Sequence, residues 1–136
     1  MKQAVDSNIL ISFFKRESKT REIIVEFELF DFCTLRSRID ELTAHRGEIC
    51  RKARISPEDF SVVLSELEIF VEIIDDATAF DRAGEAIKIA PHIEDAPLFA
   101  LSLKIGCGIW SNEKAFKKQS EVKVFDTKEM IELLEG

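Results

Sequence analysis

Short apolar runs of strand character alternate with helical periodicity along the whole chain, and only five Gly and three Pro punctuate its 136 residues. Long loops are therefore scarce and the elements must connect tightly. Residues 2–6, 29–34, 69–74, 107–111 and 122–125 read as strands. Helical patterns cover 7–14, 20–27, 36–54, 78–89 and 97–105, with a turn or two at 113–118. Two more helices are announced by their starts, Ser56-Pro57-Glu58-Asp59 and Asp126-Thr127-Lys128-Glu129. Pro91 interrupts the chain between 78–89 and 97–105, and Gly106 ends the latter. Strands separated by helices call for a parallel sheet with helices on both faces, and right-handed crossovers restrict the topology to the doubly wound kind. The expected fold class is α/β, a three-layer αβα sandwich around a mainly parallel sheet of about five strands, one domain over 1–136.

Composition removes several classes of function. With 46% hydrophobic residues and eleven Phe, the chain can bury enough area to offset its conformational entropy, so disorder is excluded. No apolar run approaches the roughly 20 residues of a membrane span. Lys2 and Asp6 bracket only three uncharged positions, which is no secretory signal. Cys33, Cys50 and Cys107 lack CxxC spacing and read as reduced thiols of a cytoplasmic protein. The formal charge is −7, which repels nucleic acid overall, but it is unevenly spread. Residues 15–54 carry ten Lys/Arg against eight Asp/Glu, whereas 55–113 carry three against twelve.

In such sheets ligands bind outside the carboxyl ends of the strands. The polar residues expected there are Asp6-Ser7-Asn8, Ser111-Asn112-Glu113 and Asp95, which can meet near the sheet centre, and Asp75-Asp76, toward one edge. No GxGxxG follows the first strand and no GxxxxGK[ST] is present. The position two after Asp6 is Asn8, not the second Asp of a phosphatase. His45 and His92 are the only histidines, and no GxSxG elbow accompanies them. Carboxylates without a nucleophile suit a hard cation such as Mg²⁺. On the 36–54 helix, Leu35, Ile39, Leu42, Ile49 and Ala53 form one stripe, with Arg38 and Arg46 close to it. Glu41, roughly 110° from the stripe, can lean over the sheet edge, and Asp40, roughly 150° away, faces solvent.

These residues match a known pattern: the chain resembles PIN-domain nucleases. AVDSNILISFF is similar to the first-strand signature of that family, where Asp precedes Ser or Thr and then Asn. Glu41, in RIDELTAHRGEI, resembles the second acidic position. HIEDAPLFALSLKIGCGIWSNEKAF resembles the C-terminal half, with Asp95 and Glu113 at the third and fourth positions, and VKVFDTKEMIELL the last strand and helix. Where the family more often has Asp, this chain has Glu113, longer by one methylene, and Glu94, beside Asp95, can stand in for it.

The resemblance implies a metal-dependent endoribonuclease, and for a chain of this size the toxin of a VapBC pair, homodimeric and restrained by a small antitoxin. Asp6, Glu41, Asp95 and Glu113, with Glu94, are the expected ligands of Mg²⁺ or Mn²⁺. Ser7 or Asn8, and Ser111 or Asn112, are expected to donate hydrogen bonds to a ligand carboxylate, a water or a phosphate, and Arg36, Arg46, Lys114 and Lys117 to position RNA through its phosphates. Structural roles are expected beside these: Asp6 and Asp95 as helix N-caps, Glu113 as a first-turn acid, Trp110 in the core with an indole N–H that needs a partner. The rival reading is a catalytically weak PIN-like module that binds RNA or a protein partner.

Overall fold

A computed structural model describes residues 1–26 and 28–136. Five strands form one all-parallel sheet: β1 (Lys2–Val5), β2 (Asp31–Leu35), β3 (Val71–Ile74), β4 (Gly108–Trp110) and β5 (Val124–Phe125). Their order is β3-β2-β1-β4-β5. After β1 the chain builds outward through β2 to β3, then crosses back to place β4 on the other side of β1. The strand order therefore reverses between β1 and β4, where a doubly wound sheet leaves a crevice at its carboxyl edge.

Alternation along the strands separates the two faces. Val5, Phe32, Trp110 and Phe125 enter one core, and their neighbours Ala4, Cys33, Ile109 and Val124 enter the other. The first core is covered by α1 (Ser7–Ser12), α2 (Lys19–Glu26), α3 (Arg36–Ala44), α4 (Arg46–Ala53), α5 (Pro57–Phe70) and α8 (Thr127–Glu135). Phe14 stacks on Phe60 there, with ring centroids 4.8 Å apart. The second core is covered by α6 (Ala83–Ile89) and α7 (Ala96–Ile105), together with 3₁₀ turns at Asp76–Arg82 and Lys114–Lys118. The Trp110 indole is fully buried and donates to the Thr127 hydroxyl at 3.1 Å, which supplies its partner.

Several elements differ from the sequence reading. The 36–54 helix is two helices, α3 and α4, parted at His45, whose φ of −104° and ψ of 18° leave the helical region. Gly47 stands two positions later, and low propensity in that first turn favours a restart over a continuous helix. The helix expected over 78–89 begins as the 3₁₀ turn Asp76–Arg82, with the Asp75 carboxylate accepting from the Ala77 N–H. The turn at 113–118 is likewise 3₁₀. Phe27, the expected last residue of the second helix, lies outside the described residues. Elsewhere the start signals hold: Ser56 with Asp59, and Asp126 with Glu129, form reciprocal capping boxes. Gly106, at φ 76°, terminates α7 in a conformation that suits glycine. Among the described residues, no helix is long and apolar enough to cross a membrane.

Candidate active site

Asp6 stands at the carboxyl end of the central strand, directly beside the reversal of strand order. Its backbone N–H donates to the Trp110 carbonyl at 3.1 Å, which carries the β1–β4 pairing one step past the strand. Its side chain caps α1, with Oδ1 accepting from the Ser7 N–H at 2.8 Å. Oδ2 accepts from the Ser111 hydroxyl, also at 2.8 Å. Ser111 follows β4, is 1% exposed, and its Oγ accepts from the Glu113 N–H at 3.1 Å. One buried hydroxyl thus orients Asp6 and fixes the backbone of Glu113.

A cleft of about 240 Å³ opens over this point. Asp6, Glu41, Glu94, Asp95 and Glu113 all line it, although they are as much as 107 positions apart in sequence. Glu41 reaches the rim from α3, and the Ser7 hydroxyl donates to its Oε2 at 3.4 Å. Asp95 and Glu94 come from a 3₁₀ turn, Ile93–Asp95, that leads into α7. Asp95 sits at the N-cap position of α7 but makes no capping hydrogen bond, contrary to expectation, because its backbone is already helical (φ −86°, ψ −16°). Its carboxylate is left to the cleft. Ser7 and Asn8 also line the cleft.

Asp6 and Asp95 both carry carboxyls raised above their ordinary range. Burial pushes the Asp6 carboxyl above the usual range, against the opposing pull of its bonds to Ser111 and Ser7 and of the Arg38 charge; Glu113 adds to the rise. Burial likewise raises Asp95, and the neighbouring Asp6 carboxylate raises it further, while Arg38 and His92 oppose. Perturbation by desolvation and like charge in a cleft is a property of functional sites.

Arg38 is the residue that sequence reasoning missed. Its side chain is only 13% exposed, with Nη1 lying 3.5 Å from Glu41 Oε2. Nη2 donates to the Glu94 carbonyl at 2.7 Å, tying α3 to the opposite wall. Its Nε is buried and, among the described residues, has no hydrogen-bond partner. The signal was present: a guanidinium close to the apolar stripe of a helix that must pack is a charge with a specific destination.

Three residues expected at the site are engaged elsewhere. Arg36 points to Glu68 on α5, 3.7 Å away. Lys117 is held by Asp126 and Glu129 at the start of α8. The Asn112 Oδ1 accepts from the Thr127 N–H at 2.8 Å, serving the same helix start. Arg46 and Lys114 are exposed and are not among the residues that line the cleft. Asp75 and Asp76 lie at the β3 edge, where Asp76 accepts from Ser37.

The donor set is carboxylate and hydroxyl oxygen, the chemistry of a hard cation rather than a soft one. Among the described residues, no three His, Cys, Asp or Glu side chains already converge on one point as a coordination shell. A hard cation bound to this donor set would be held by one or two carboxylates and completed by water and substrate oxygens, as Mg²⁺ commonly is.

Comparison with known proteins gives the same direction. The family model described as PIN domain matches residues 4–134. No curated protein matches the chain closely enough to serve as a relative. The match begins within β1 and ends within α8, so it takes in all five acids of the cleft, and the chain belongs to the PIN-domain family, whose members are generally nucleases.

Proposed function

We propose that the chain is a Mg²⁺- or Mn²⁺-dependent endoribonuclease that hydrolyses RNA phosphodiester bonds in this cleft. The observation that carries the reading is that the buried Asp6 shares one cleft with Asp95, Glu41, Glu94 and Glu113 at the strand-order reversal of a PIN-domain chain. Asp6 and Asp95 would hold the ion, flanked by Glu41 and Glu113, with Glu94 beside them. Bound there, the ion supplies a lowered pKa for water and compensation of charge on the phosphoryl oxygens. Ser111 and Ser7 keep both Asp6 oxygens oriented, so little reorganisation is needed when charge develops. Several carboxylates crowded in one cleft repel one another, and a dication relieves that repulsion.

A toxin role in a VapBC pair, with a small antitoxin partner, homodimer assembly and cytoplasmic action, extends this proposal and rests on the sequence resemblance. A short reading frame directly upstream, encoding a DNA-binding domain with a hydrophobic tail, would support it. One observation favours the rival reading of a catalytically weak module that binds RNA or a protein: Arg38 already supplies a positive charge among the acids.

The experiment is hydrolysis of a labelled RNA with and without Mg²⁺ or Mn²⁺. Activity that appears only with the ion, and is lost in Asp6→Asn and Asp95→Asn, supports the nuclease. Activity that survives both substitutions or excess chelator sinks it.

A further inference from the structure

The acid cleft does not end at its acids. Three of its lining residues, Pro91, His92 and Ala115, also line a second groove of about 330 Å³, together with Lys88 and Lys118. Lys88 is on α6 and Lys118 ends the 3₁₀ turn after β4, so two separate segments bring cations to one channel. Among the described residues neither lysine takes part in an ion pair, whereas the adjacent Lys117 is bound by two carboxylates. Both are exposed, on a chain whose formal charge is −7.

The walls of this groove are set in advance. Gln119 makes three hydrogen bonds within its own loop, to the Phe116 and Val122 carbonyls at 2.9 and 2.8 Å and from the Val122 N–H at 2.8 Å. Pro91, which also lines the groove, has a ring-locked φ. The two lysines then supply mobile charge on a fixed channel, which limits the ordering cost of binding.

An RNA strand crossing an acid-lined cleft has a physical problem. A dication compensates the phosphate at the reacting centre, but the neighbouring phosphates meet carboxylates unless cations stand along their path. We propose that the groove between Lys88, His92 and Lys118 carries the backbone of single-stranded RNA on one side of the scissile bond, each lysine neutralising one phosphate. A flexible single strand can lay its backbone along a groove that brings cations beside the site. This inference rests on the nuclease reading and moves RNA positioning from Arg36 and Lys117, which are committed elsewhere, to a surface continuous with the site.

The test pairs binding with cleavage. Anisotropy in EDTA measures the affinity of a labelled single-stranded RNA of about twenty nucleotides, and initial rates with Mn²⁺ compare that RNA with a trinucleotide. Wild type is compared with Lys88→Ala/Lys118→Ala, with the charge-reversed pair Lys88→Glu/Lys118→Glu, and with Lys52→Ala as a remote control. The alanine pair is expected to weaken binding roughly tenfold and to reduce the salt slope by about 1.4, the contribution of two phosphates on a single strand. The kcat/KM advantage of the longer RNA should shrink in parallel, more so in the charge-reversed pair, while Lys52→Ala changes neither. Unaltered affinity and salt slope in both pairs would overturn the groove. Wild-type cleavage with no effect of either pair refutes the groove alone. Lysine-dependent binding without any cleavage keeps the groove and refutes the nuclease.

Discussion

The Ser111 hydroxyl donates a 2.8 Å hydrogen bond to Asp6 Oδ2 across the seam between β4 and β1. It joins residues 105 positions apart at the one place where the sheet reverses its strand order. Ser111→Ala removes the bond that orients the most buried acid of the cleft. A partner in this position is typically worth about 10–100-fold in metal affinity or activity. The expected result is a loss of that size, with Ser111→Thr retaining more activity than Ser111→Ala because it keeps the hydroxyl. Mn²⁺ titration calorimetry and initial rates on a labelled RNA check both.

The raised Asp6 and Asp95 carboxyls make a prediction about stability and pH. A carboxyl whose folded value lies above its unfolded value contributes stability fully below the ordinary carboxylate range, and that contribution is lost as pH rises through the raised value. At neutral pH both acids therefore work against the ion-free fold. The difference between Asp95→Asn and wild-type melting temperatures should grow in favour of the variant as pH rises out of the carboxylate range toward neutrality. A saturating divalent ion should reverse the order. At a hundredfold excess over Kd the ion stabilises the protein that binds it by about 2.7 kcal/mol. Thermal melts across pH, with and without Mg²⁺, read out all of this.

Arg38 occupies the cleft as a cation of the chain itself, 3.5 Å from Glu41 and close enough to draw down both Asp6 and Asp95. It must repel an incoming dication. Arg38→Met is expected to tighten Mn²⁺ binding on the order of tenfold, the size of a water-screened repulsion between a single and a double charge at contact range. Weaker binding in the variant would instead assign Arg38 to holding the cleft walls together through the Glu94 carbonyl. Electron paramagnetic resonance of free Mn²⁺ measures the affinity directly.

Trp110 tests the core beneath the site. Its indole N–H has the Thr127 hydroxyl as a partner at 3.1 Å, and the ring is fully buried against Phe32, with centroids 5.5 Å apart. Thr127→Val keeps the shape but strands the N–H, at a cost of about 1–3 kcal/mol. Thr127→Ser should retain most of the stability. Urea denaturation curves separate the two.

What could be read from the sequence followed periodicity. The order of apolar runs and helical stripes gave the five strands, and Asp6 was placed as the polar residue closing the first of them; Val5 and Trp110 enter one core and Ala4 and Ile109 the other. Asp95, Glu113 and Glu94 were placed beside Asp6 by strand-end logic and by the family resemblance, and all three line its cleft. What could not be read was competition between partners. The wheel over 36–54 assumed one axis, and the break at His45 divides it. Lys117 and Arg36 looked available to RNA because a sequence does not show the carboxylates of α8 and α5 that claim them. Asn112 was drawn to the start of α8 for the same reason. Arg38, on the edge of an apolar stripe, was visible as an oddity, but its destination depended on the turn Ile93–Asp95, 55 positions further on, arriving opposite it.

The central claim is that Asp6 and Asp95 trap a divalent ion, and anomalous diffraction from a crystal soaked in Mn²⁺ near neutral pH tests it most directly. A peak bounded by the carboxylates of Asp6 and Asp95, absent from Asp6→Asn crystals soaked alike, is the expected result. A cleft without such a peak, with Arg38 still seated between its acids, would contradict the claim.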